Sequence, residues 1–536
     1  MKKFYTTLVI ALVSINSFAQ QSTFQKVLGI NGGGTMQTMD VTLDGGYIIA
    51  GASNITTYGH GLFFLRTNME GDTLWTKNID QGNYNDYVYN IRQVSDGGFV
   101  LTGSTWNIGN HHEGSMFLMK IDSDGNFIWE KIYAAPYLST GINLRQTSDG
   151  GYIVIGQASF DSIHRTAFLV KTNDIGDTLW TRNYGASYDE IGYDVCETND
   201  NGYVLTGSNY NNNGVPVHVF VIKTDSLGNT LWSNKYGGVA ADAGCSIQLT
   251  SDGGYVIAGN TDSFGVIGYD FLMFKLDANG TIVFAKTFGN TSYESFGSLA
   301  LTSDHGFLVT GYGSPSAYST IYDPYAFKTD SMGNITWAKK YGWTTSDQLL
   351  SGKQTPDGGF ILAGIINGFV PSSSVYLIKT DGNGSTGCFW EQNPTMIVGN
   401  PTLYNLTLTS VTGRGAIVYS VPDSVIRNIN VGGESLTMCY IAAITENNFD
   451  NSISISPNPF TSQTTITFNE AQKNTSIKVM NTLGECIQQL TTSNQQLILD
   501  MSGYAKGVYF VKIESSPFLS LPEGDTKPVY KKLVLQ

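Results

Sequence analysis

Ser246-Ile-Gln-Leu-Thr250, Ser251-Asp-Gly-Gly254 and Tyr255-Val-Ile-Ala258 follow one another without a break, and Gly259 stops the run. A variable loop leads to Phe271-Leu-Met-Phe-Lys275, the turn Asp277-Ala-Asn-Gly280, and Ile282-Val-Phe-Ala-Lys286. Runs of about five β-prone residues divided by Gly/Asp turns read as a four-stranded antiparallel meander, with strands a, b, c and d. One such sheet cannot bury both of its faces alone.

The same unit recurs along the chain. A turn of the type Asp-Gly-Gly-aromatic starts at Asp44, Asp96, Asp149, Asp200, Asp252, Asp304 and Asp357, in steps of 51 to 53 residues. Asn201 and His305 replace the first glycine in two copies. An aromatic follows each turn: Trp75, Trp129, Trp180, Trp232, Phe284, Trp337 and Trp390. A period of this length, with four strands per unit, predicts an all-β protein with a seven-bladed β-propeller over residues 20–390. An open β-solenoid is the alternative, but its usual repeats are shorter.

Ring closure leaves a trace of its own. Phe24-Gln-Lys26-Val-Leu28-Gly29 copies the strand d pattern Phe284-Ala-Lys286-Thr-Phe288-Gly289, so the N-terminal segment is expected to supply the outer strand of blade seven.

The totals agree with an exported β protein. There are 61 glycines, 12% aromatic residues, and a formal net charge of -14, which argues against nucleic acid and anionic membranes as partners. Lys2, Lys3, the apolar run Leu8–Val13 and Ser17-Phe18-Ala19 read as a signal peptide over residues 1–19. No stretch is long enough for a transmembrane segment.

Residues 391–450 drop the repeat and read as a β-rich connecting segment bracketed by Cys388 and Cys439. In an exported protein these two are expected to form a disulfide, contributing on the order of 3–4 kcal/mol. Cys196 and Cys245 are expected to be free, and Cys486 is left over.

From Ile453 the chain resembles the type A C-terminal sorting domain of the type IX secretion system of Bacteroidota. The matching residues are Ser456-Pro457-Asn458-Pro459, Ile477-Lys-Val-Met-Asn-Thr-Leu-Gly484, Gly507-Val-Tyr509-Phe-Val-Lys512 and the terminal Lys531-Lys532-Leu533. A longer insertion, Ser515 to Pro528, departs from the pattern. The resemblance implies a small C-terminal β-sandwich over 453–536, recognition by the type IX secretion machinery after Sec export, and a secreted or outer-surface location. The repeats likewise resemble uncharacterised propeller proteins that carry this domain, a kinship that supplies no activity. The Asp-x-x-Gly turn ahead of each tryptophan is similar to the Asp-box of sialidases and the tryptophan-docking turn of quinoproteins. In both families it is structural, so neither sialidase activity nor a quinone cofactor follows, and none is expected.

Function is sought on the face of the variable b–c and d–a loops. Ten residues before the turn marker stand Asp86, Glu190, Asp242, Glu294 and Asp347, with Gly34 and Ser139 in the other two repeats. These carboxylates are expected to ring the central funnel, either as a ligand site or as a repeated structural hydrogen bond. Trp106, Trp343, Tyr58, Tyr137, Tyr188, Tyr210, Tyr269, Tyr293 and Tyr318 crowd the same face and suit a glycan or protein ligand. His60, His111, His112, His164 and His218 fall in b–c loops of four blades, which favours solvated histidines over a metal site. Asp122-Ser-Asp124-Gly125 hints at a calcium loop but reads better as a capped turn. The resulting expectation is a non-enzymatic binding protein; the alternative is a glycan-active hydrolase or lyase using funnel carboxylates.

Overall fold

The computed structural model describes residues 22–441 and 453–535, apart from segments 30–33, 54–59, 81–84, 107–113, 161–162, 186–188, 211–215, 266–267, 290–292, 315–320, 343–345, 368–373, 389–390, 408–416, 420–427, 431–434, 459–460, 469–474, 481–485 and 515–528. It separates into two compact units, 22–441 and the C-terminal domain.

In the larger unit the described residues form seven antiparallel sheets, each built on four strands in the order a-b-c-d. Blade 1 comprises Gly34–Val41, Tyr47–Ser53, Gly61–Thr67 and Thr73–Asp80. Blades 2 to 6 begin at Asp86, Leu138, Asp189, Asp242 and Tyr293. Blade 7 takes strands a to c from Gln348–Gln354, Phe360–Ile366 and Ser374–Thr380, and strand d from the N-terminal Thr23–Leu28. Each strand a packs against the strands a of both neighbours, and blade 1 meets blade 7, so the ring closes. Each strand a also carries a bulge midway, as between Gly192 and Asp194.

The a–b turn explains its own sequence. Its third position takes a positive φ, 83° at Gly45 and 80° at Gly253, a conformation that costs glycine nothing. Asn201 and His305, the two substitutes, are the only non-glycine residues with positive φ among those described. In every blade the turn aspartate pairs with a strand c cation, as in Lys171–Asp149 at 2.8 Å, Lys223–Asp200 at 2.9 Å and Lys379–Asp357 at 2.9 Å.

Blades are joined by a second repeated device. The c–d turn glycine of one blade lies under the strand d aromatic of the preceding blade, so closely that a Cβ on Gly176 would come within 2.8 Å of Trp129. Four residues after the tryptophan a tyrosine hydroxyl donates to that glycine's carbonyl, at 2.6 Å for Tyr236 to Gly280 and 2.8 Å for Tyr184 to Gly228. For blade 7 the aromatic is Phe24, against Gly71. Trp390, which the repeat spacing nominated for this place, lies outside the described residues. Asp122 caps its turn by accepting from the Asp124 and Asn126 amides at 2.9 and 2.7 Å.

The segment after blade 7 is β-rich among its described residues. It runs backwards around the ring, laying a short fifth strand on one blade after another. Glu391–Gln392 pairs with blade 6, Ile397–Gly399 with blade 5, and Tyr404–Thr407 with blade 4. Ile417–Tyr419 then reaches blade 2, Asn428–Asn430 blade 1, and Ser435–Ile441 the N-terminal strand of blade 7. The outer strand edges that a propeller leaves open are thereby partly covered.

The C-terminal unit is a sandwich of a three-stranded and a four-stranded antiparallel sheet. Ile466, Phe468, Ile477, Val479, Leu499, Val511 and Ile513 fill it at alternating strand positions.

Candidate functional site

The five carboxylates do not line an open funnel. Asp86, Glu190, Asp242, Glu294 and Asp347 are only 0–3% exposed. Each stands at the start of strand a, and Glu190, Asp242, Glu294 and Asp347 lie against the last strand of the preceding blade. The Glu294 and Asp347 amides donate to the Tyr269 and Tyr322 carbonyls at 2.8 and 2.9 Å. Asp242 is held most fully: Thr261 Oγ1 donates to it at 2.5 Å, Ser263 Oγ at 2.7 Å and the Gly238 amide at 2.7 Å. Burial raises the pKa of its carboxyl above the usual range, and those donors only partly offset this.

Glycine five residues earlier makes room for the carboxylate: a Cβ on Gly185, Gly237 or Gly342 would come within 2.6, 2.5 or 2.8 Å of Glu190, Asp242 or Asp347. In blade 3, Ser139 does the same work, donating to the Tyr133 carbonyl at 2.7 Å and accepting from the Met116 amide at 2.9 Å. The position ties blades together, which is why it recurs with the repeat.

Aromatic rings supply what is accessible on this face. Tyr269 and Tyr293 meet edge to face with centroids 5.0 Å apart, bridging blades 5 and 6. Tyr312 and Tyr322 repeat the arrangement at 5.3 Å in blade 6, and His60 lies 5.5 Å from Tyr87. The Tyr210 and Tyr193 hydroxyls are hydrogen-bonded to each other. Trp106 lies over Gly114 and is 36% exposed, and Tyr137 is 43% exposed. Trp343, Tyr58, Tyr188, Tyr318, His111 and His112 lie outside the described residues. Tyr193, Tyr312 and Tyr322 were not singled out from sequence. Tyr193 occupies the strand a bulge, which no pattern of alternation announces.

Among the described residues no three His, Cys, Asp or Glu side chains come together to hold a metal ion. Cys196, Cys245 and Cys486 are free, and burial pushes the Cys245 thiol up to about 12. Among the described residues no helix is long and apolar enough to cross a membrane.

In the C-terminal unit, Pro457 and Asn458 are exposed, and the Pro457 carbonyl accepts from Thr464 Oγ1 at 2.6 Å. Tyr509 is buried, its hydroxyl donating to Ala505 at 2.5 Å. Strand Gly507–Glu514 pairs with the final strand, placing Lys531 opposite Val511 and Lys532 opposite Phe510. Pro459 lies outside the described residues.

Residues 454–518 match the family model of the secretion system C-terminal sorting domain. A repeat ring followed by this domain defines a class, the secreted cell-surface β-propeller proteins of the type IX system. This chain carries the sorting domain that engages that machinery and directs attachment to the cell surface.

No curated protein matches it in sequence. Among solved structures it is similar to PorZ, an essential surface component of the type IX secretion system of Porphyromonas gingivalis, at 12% identity and a TM-score of 0.34 over 95% of this chain and 75% of that one. A fungal alcohol oxidase of the AA5 family, in complex with copper, aligns at 11% identity and 0.39, over 94% and 99%. YCF48 bound to D1 peptide aligns at 8% and 0.34, over 69% and 99%. Likenesses this distant carry no inference about activity.

Proposed function

We propose that the propeller is a non-enzymatic binding module, displayed at the cell surface, that takes a glycan or protein ligand on its tyrosine-rich loop face. The observation that carries this reading is the division of that face. Its carboxylates are enclosed between blades, while half-exposed aromatic rings with polar edges remain within reach of a ligand. Rings of this kind stack on sugars and tolerate water at their hydroxyl ends. A glycosidase needs two reachable carboxyls with unequal environments, and acids sealed against neighbouring glycines do not suit that chemistry.

The reading includes a precursor whose residues 1–19 are a signal peptide, and a Cys388–Cys439 disulfide. Two contacts support the disulfide. Thr386 Oγ1 accepts from the Cys388 amide at 3.1 Å and from Gln25 Nε2 at 3.0 Å, and Cys439 is the register partner of Gln25. The hydrogen-bonded pair Gln25 and Thr386 thus links the backbone beside Cys439 to that of Cys388.

The test is a polysaccharide array probed with the mature chain, with reducing ends assayed in the same wells. Retention without new ends supports the module; new ends support a hydrolase. Silence in both channels removes the glycan and turns the search to protein ligands.

A further inference from the structure

Four residues before each turn marker, strand a carries Asp40, Arg92, Arg145, Cys196, Gln248, Ala300 and Lys353 in blades 1 to 7. No residue type recurs there except arginine. Four of the seven are charged, and side chains of this tier meet across blades. Lys353 of blade 7 and Arg92 of blade 2 both face Asp40 of blade 1, the first donating to it and the second 3.7 Å away. Arg145 of blade 3 reaches past blade 4 to the Ile247 carbonyl of blade 5 at 3.2 Å, and contacts Asp194 through both carboxylate oxygens at 3.3 Å. Cys196 donates to the same Ile247 carbonyl at 3.1 Å.

Three cations thus face two carboxylates inside a chain of net charge -14. Asp194 is saturated, since it also accepts from Asn143 at 2.9 Å, Ser246 at 2.8 Å and the Ile247 and Val195 amides at 2.9 and 2.8 Å. Arg92 is the opposite case: no hydrogen bond among the described residues uses its guanidinium, and its contact with Asp40 is loose. The Arg92, Arg145 and Lys353 side chains keep 21%, 25% and 29% of their surface open to solvent. A purely structural plug could be built of small or apolar groups such as Ala300, without the cost of desolvating charge. A guanidinium held by one loose ion pair, and sharing its carboxylate with an ammonium, is instead a donor set that recognises an oxyanion.

We propose that Arg92, Arg145 and Lys353 form an oxyanion-binding site on the propeller axis, near the a–b turns, that takes a carboxylate, sulfate or phosphate group. It lies at the other end of the inner strands from the tyrosine-rich loops and does not rest on what those loops bind. Burial, and then the positive charge of Arg92, lower the Lys353 pKa to about 8 even though Asp40 opposes them, with Arg145 adding to the depression. A bound anion relieves that repulsion.

Calorimetric titration of the full mature chain tests the site, using inorganic sulfate, inorganic phosphate and galacturonate against chloride at matched ionic strength. Saturable binding of at least one probe is expected. It should fall about tenfold or more in Arg92→Gln, and less in Arg92→Lys, which keeps the charge but loses the fork. It should also weaken above pH 8 as Lys353 loses its proton. Near-UV circular dichroism and melting of each variant separate a lost site from a lost fold, and Lys353→Gln provides an independent second loss of affinity. Galacturonate binding above the inorganic ions identifies an acidic saccharide as the source, and equal or stronger sulfate or phosphate binding identifies a free ion. The proposal is overturned if no probe saturates, or if folded Arg92→Gln and Lys353→Gln both bind like the parent.

Discussion

Two tiers of the same inner strands obey opposite rules. Ten residues before the turn marker, five blades carry an acid and a sixth a serine, all enclosed, with Glu190, Asp242, Asp347 and Ser139 set against the preceding blade. Six residues nearer the turn, nearly every blade differs, and the charged side chains meet on the axis with part of their surface open. Repetition therefore marks what holds blades together, because every blade interface has the same demand. Departure from repetition marks what the assembled ring does once, at its centre.

The largest expected effect breaks the repeated side of this contrast at the ring closure. Phe24→Ala removes a fully buried ring stacked on Gly71 and should cost about 3–5 kcal/mol in chemical denaturation. Asp242→Ala strands three donors, two of them buried, and should cost about 3 kcal/mol, yet leave oxyanion affinity unchanged; a large affinity loss in a folded variant would merge the two tiers. Arg92→Gln should show the reverse pattern, with less than about 1 kcal/mol of stability lost because the group is partly exposed and makes no hydrogen bond among the described residues.

The smallest effect belongs to the surface pairs of the a–b turns. The Asp252 carboxyl is lowered to about 2 by its hydrogen bonds from Lys275 and Thr250. A carboxyl lowered on folding stabilises above its unfolded value near 3.8, and that contribution is lost as pH falls through about 2. Asp252→Asn should therefore cost a few tenths of a kcal/mol at pH 7 and nothing near pH 2, as read from melting curves across that range.

Most of the ring was legible because its rules are local. The positive φ of the a–b turn admits Gly, Asn and little else, so Gly253, Asn201 and His305 mark the same backbone position. The likeness of Phe24–Gly29 to Phe284–Gly289 pointed to the closing strand for the same reason: both rings must sit on a turn glycine of the next blade. The acid tier was visible as a period, but its enclosure was not, since alternation reports a strand face and not which neighbour covers it. The axis cluster was harder still. Arg145 and Ile247 are separated by two repeats, and nothing local in either sequence announces their contact. The peripheral strands of residues 391–441 were also illegible as a belt, because two- to seven-residue strands take their register from the edges they cover.

That belt has a mechanical consequence. A protein held at the surface through its C-terminal end transmits any pull along residue 441, whose register partner is Thr23. Traction therefore arrives first at the sheet that closes the ring, where the N-terminal strand is clamped between Ser374–Thr380 and Ser435–Ile441. Peeling would begin at the Ile441–Thr23 pair and reach the Cys439–Gln25 pair two residues later, where the proposed bond to Cys388 would act as a ratchet stop. The clasp of the ring and its mooring point are thus the same sheet.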